Sequence, residues 1–61
     1  MSDLTAMELT ALEEQLMFEQ MVIKKYAAAA QSCADPVLRP QLERIASLHQ
    51  NHYNKLVNHL K

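Results

Sequence analysis

The chain has 61 residues, a net charge of −1 and no basic block, which argues against nucleic acid as a partner. It has no glycine, a single cysteine and abundant Ala, Leu, Glu, Gln, Met and Lys. An internal disulfide framework is therefore excluded, a reducing compartment is indicated, and an all-α fold of one domain over residues 1–61 is expected.

Met1 to Asp3 is expected to fray. Thr5 has the chemistry of an N-cap and Glu8 completes a capping box, with Leu4 and Leu9 spaced as a hydrophobic staple. Helix 1 is predicted from about Ala6 to about Cys33, roughly 40 Å at ~1.5 Å per residue. Its apolar seam runs Leu9, Leu12, Leu16, Glu19, Ile23, Tyr26, Ala30, Cys33, and Glu19 is the one charged residue on that line. Beside it lie Ala11, Phe18, Val22 and Ala29, with Met17 and Met21 nearby. A band this wide predicts two packing surfaces, one for a hairpin partner and one for another chain. The alanines from Ala27 to Ala30 allow close helix approach.

A turn is predicted at about 34–37. Asp35-Pro36 pairs an N-cap residue with a proline suited to the first helical position. Pro40 then falls where a backbone N–H is wanted, so either the turn extends to about Leu38 or the first turn is irregular. Helix 2 is predicted over about 38–60, with its last turns weakened by Asn51, Asn54 and Asn58. Its seam steps Leu38, Leu42, Ile45, His49, His52, Leu56. Two histidines thus stand where leucines are expected.

If the helices fold back on each other, Glu19 and His52 are about equally far from the turn, roughly 25 Å along each axis. His49 is about one turn nearer. One carboxylate and two imidazoles therefore share a level inside an antiparallel helical hairpin. Glu19, His49 and His52 are ligand types for zinc, iron or manganese, and two ligands from one helix with one from its neighbour is a sound bundle geometry. Equally, a carboxylate can hydrogen-bond imidazoles in a polar layer that fixes register without metal. That second reading predicts that replacing both histidines by leucine leaves a dimer at least as stable. A third reading leaves the seam open and the cluster wet at this level.

Other residues carry less. Cys33 reads as a small buried thiol, Tyr26 and Tyr53 as packing residues, and His59 as a surface residue. Met17 and Met21 read as adaptable core, while Glu13, Glu14, Lys24 and Lys25 read as solvated. Without glycine there is no phosphate-binding loop, and no Ser/His/Asp set is arranged for nucleophilic catalysis. No apolar run approaches the ~20 residues of a membrane span, and no secretion signal is read at the N-terminus.

The order Leu4-Thr5-x-x-Glu8-Leu9, Leu16-x-x-Glu19, Lys24-Lys25-Tyr26, Asp35-Pro36-x-Leu38 and His49-Gln50-x-His52-Tyr53-x-x-Leu56 resembles the small coat F-type spore coat proteins of spore-forming Firmicutes. That resemblance covers nearly the whole chain. It implies half of a ferritin-like four-helix bundle, completed by homodimerisation, and a structural or assembly role in the spore coat or mother-cell cytoplasm. Other coat proteins are the implied partners, and no established enzymatic activity is implied. Ferritin-like di-iron proteins use a Glu from one helix and Glu-x-x-His from the next. Glu19 matches the first position and His52 the last, but His49 stands where a Glu belongs. The substitution makes a dimeric site of two carboxylates and four imidazoles, better suited to zinc or a single divalent ion than to high-valent iron. Metal oxidation or storage is the alternative function, and a dimeric helical adaptor a third. A single hairpin interface at about 25 cal/mol per Å² does not outweigh the chain entropy, so no stable monomer is expected.

Overall fold

The computed structural model describes residues 4–60, so the fraying expected of Met1 to Asp3 lies outside the described residues. Two helices, α1 over Ala6–Ser32 and α2 over Leu38–Asn58, form an antiparallel hairpin, with no strand among the described residues. The particle measures 46 × 16 × 11 Å, a slab one helix thick. Its radius of gyration is 14.4 Å, against about 10.5 Å for a compact chain of this length. No helix among the described residues is long and apolar enough to cross a membrane.

The entry to α1 follows from the capping box. The Glu8 amide donates to Thr5 Oγ1 at 3.1 Å, and the Thr5 amide donates back to Glu8 Oε1 at 3.0 Å. Two orphan donors are thereby satisfied, and the hydrogen bonds that Thr5 donates to Glu8 Oε1 from its amide and its hydroxyl hold the Glu8 carboxyl below its usual range.

α1 ends at Ser32, one residue before the expected Cys33, which is extended and donates its amide to Ala30 O at 3.2 Å. Its termination does not rely on glycine. Arg39, reaching back from the start of α2, donates through Nε to Cys33 O at 3.0 Å and through its terminal nitrogen to Gln31 O at 3.2 Å. A cation thus sits at the negative end of α1, whose own last turn carries no basic residue. Cys33 is half-buried rather than buried, because it lies in the link with its Sγ 3.8 Å from Asp35 O.

Asp35 performs the expected capping. Its Oδ1 accepts from the amides of Val37 at 2.8 Å and Leu38 at 3.2 Å, while its carbonyl accepts from the Arg39 amide at 2.9 Å. Regular helix begins at Leu38, so Pro40 is its third residue, within the first turn, where a proline is tolerated. At the far end α2 stops at Asn58, two residues short of the expected Leu60. His59 and Leu60 close in a turn, their amides donating to Leu56 O and Val57 O.

The interface between the helices follows the seam. Leu12, Leu16, Ile23, Tyr26 and Ala30 of α1 meet Leu42, Ile45 and Leu56 of α2, all buried or half-buried. Leu9 and Leu38 lie nearer the ends of their helices and are more exposed. Ala30 and Glu19 are the buried residues among those described. A two-helix slab leaves each helix half uncovered, and Met17 and Met21 project outward from α1 instead of filling a core.

Candidate metal centre

Glu19 occupies a seam position midway along α1, and the helix period aims it at α2 between Leu16 and Ile23. It is 2 % exposed and is the largest fully buried side chain. A buried carboxylate is tolerated only if its oxygens are paired. Here Oε1 lies 2.6 Å from His49 Nδ1, and Oε2 lies 2.9 Å from His52 Nδ1. Gln15, one turn earlier on α1, donates its Nε2 to Oε2 at 2.9 Å. No buried side-chain nitrogen or oxygen among the described residues lacks a partner.

The protonation pattern follows from this geometry. The hydrogen bond from His49 holds the Glu19 carboxyl below its usual range, with Gln15 and the charges of His52 and His49 assisting against the opposing effect of burial. An ionised carboxylate only accepts. Each Nδ1 must therefore carry a proton and donate it to Glu19. Because Nδ1 and Nε2 are on different sides of a rigid ring, both Nε2 atoms point away from the carboxylate. His49 is 34 % exposed and His52 is 53 % exposed, so the cluster is sealed beneath Glu19 and open above the imidazoles.

The structure thus brings together all three residues singled out in the sequence. One ligand atom from each of Glu19, His49 and His52 lies within 4.8 Å of the others, so the set can hold a metal ion. Donor chemistry fits a divalent cation, with two imidazole nitrogens and one carboxylate. The contacts at 2.6 and 2.9 Å are those of hydrogen bonds. Glu19, His49 and His52 would hold such an ion, which would take the place of the two Nδ1 protons.

Gln15 is a fourth participant that the seam pattern does not mark. Its signal was the spacing of four residues from Glu19, which lets an amide reach a carboxylate on the same helix. Tyr53 is not part of the layer, since its hydroxyl accepts from Gln20 Nε2 at 3.1 Å on one side of the hairpin. Glu13, Glu14, Lys24, Lys25 and His59 are exposed, as their positions suggested.

The chain is 32 % identical over 50 residues to YuzM, an uncharacterised protein of Bacillus subtilis (strain 168). The match covers 82 % of this chain and spans 62 % of that protein's length. No family model and no solved structure matches the chain.

Proposed function

We propose that the chain is a small assembly protein of the bacterial spore coat. In this reading two copies pair into a four-helix bundle, and each holds a divalent metal ion, or a share of one, at Glu19, His49 and His52. The observation that carries the metal is the burial of Glu19 between two imidazoles of the facing helix. Three donors per chain leave a tetrahedral ion one ligand short. Water or a donor from the second copy would fill that place, and a dimer would offer two carboxylates and four imidazoles in all. A set this rich in nitrogen favours zinc over iron or manganese.

The coat assignment rests on the ordered series of residues from Leu4 to Leu56. Its partners would be other coat proteins, and its place the coat or the mother-cell cytoplasm. Metal oxidation is the less favoured reading, because His49 removes a carboxylate from each half of the site. Bound iron with oxygen consumption would establish it.

One observation favours a second reading. The buried Glu19 carboxylate is already fully paired by His49, His52 and Gln15 without an ion, as a polar layer that only sets helix register would require. Titrating zinc into chelator-treated protein separates the two. The metal reading predicts saturable binding that is lost in Glu19→Ala and in His49→Ala. Absence of binding in the parent leaves the polar layer.

A further inference from the structure

Glu19 and His49 divide the hairpin into two unlike sides. Gln20 and Gln50, each one residue after a member of the cluster, line a common groove with Tyr53. The Gln20–Tyr53 hydrogen bond crosses that side. Phe18 and Leu48 each come one residue before, so they lie about 100° round their helices in the opposite sense. They must emerge together on the other side. Both are open to solvent, at 49 % and 61 %, beside half-buried Val22 and Ile45. His52 follows His49 by three residues and is turned by about 60° toward this apolar side, consistent with its greater exposure.

We propose that the Phe18–Leu48 side, and not the Gln20–Gln50 side, is where a second copy of this chain docks, so that His52 opens into the interface. This rests on the reading of the chain as an assembling unit. Three observations favour a second copy as the occupant. The hairpin exposes 4790 Å² for a mass of 7.0 kDa, where a compact chain of that mass exposes about 4,000 Å². The excess is close to the ~800 Å² that each partner contributes to a standard interface. The centre of the face, formed by Phe18, Val22, Ile45 and Leu48, carries no charge, which suits contact with an identical surface. Finally, His52, a member of the cluster that could hold a metal ion, is open to solvent on this side.

The test is sedimentation equilibrium of the full chain in chelator, comparing Phe18→Glu and Leu48→Glu with Gln20→Glu and Gln50→Glu. The first pair should raise the dimer dissociation constant by about a hundred-fold or more, since each places carboxylates in a closed apolar contact. The second pair should leave it within about three-fold. A parent that stays monomeric at all concentrations overturns the proposal, as does dissociation by the glutamine variants alone. Should the glutamates unfold the chain, single cysteines in a Cys33→Ser background give a second readout. Leu48→Cys should become about ten-fold slower to label with a thiol reagent as the protein concentration rises, while Gln50→Cys should not. The reverse pattern contradicts the proposed face. A dimer that persists in chelator yet binds no zinc counts against the metal alone.

Discussion

Lowering the pH tests whether His49 and His52 both bind the ion. An imidazole must be free of a competing proton to ligate, and the ordinary imidazole range centres near 6.5. The geometry supplies two such groups per chain, each facing Glu19 through Nδ1. Once the pH is below that range, each pH unit costs about ten-fold in affinity per imidazole. Two imidazoles give about a hundred-fold per unit in that limit. Glu19 adds nothing to that slope, because its carboxyl is held below its usual value of 4.5, chiefly by the His49 hydrogen bond. The assay is competition with a chromogenic chelator at fixed ionic strength, with the chelator's own protonation corrected. In His52→Ala the slope should halve while residual binding persists. Affinity independent of pH from 7 to 5, or a parent slope of one proton per ion, would refute the two-imidazole arrangement.

Glu19 also links folding to acid in the metal-free protein. Because its folded pKa is lowered, its contribution to stability is present above the unfolded value near 4.5 and is lost as pH falls through the folded value. Chemical denaturation in chelator should therefore show stability dropping below about pH 4.5, with a smaller drop in Glu19→Gln. Arg39→Ala removes both donors from the end of α1 and should cost about 1–2 kcal/mol. At the entropy expected for a chain of this size that lowers Tm by roughly 8–15 °C, and Arg39→Lys should recover only part of it. Replacing both histidines by leucine should destabilise the protein in denaturant melts, since it leaves a buried carboxylate with only Gln15 as partner. Adding Glu19→Leu to that double variant should restore stability, and a triple variant weaker than the double would contradict this.

Destabilisation by the two leucines is the opposite of what the polar-layer reading of the sequence predicts, because the three groups are buried to different extents. The seam identified Glu19, His49 and His52 as neighbours, because residue spacing fixes both the face of each helix and the distance from the turn. It did not show how unequally they are buried. Glu19 lies at 2 % exposure while the imidazoles reach solvent, so the carboxylate bears most of the cost when its partners go. Helix limits were legible to within two residues, since Thr5, Glu8, Asp35 and Pro36 have strong local chemistry. Arg39 was not legible as the cap of α1, because its partners lie on the other helix and no spacing rule connects them. Cys33 belongs to the same case: its partial exposure follows from the path of the link. Nor did the apolar band on α1 say which flank is free. That distinction appeared only when the Gln20–Tyr53 contact assigned one side of the hairpin.

The most direct measurement is elemental analysis of protein purified without an affinity tag, alongside Glu19→Ala and His49→Ala. The account predicts near-stoichiometric divalent metal in the parent, with zinc favoured, and its loss in both variants. No metal in the parent, even after incubation with zinc, iron or manganese, would contradict it and leave Glu19, His49 and His52 as a layer that sets packing alone.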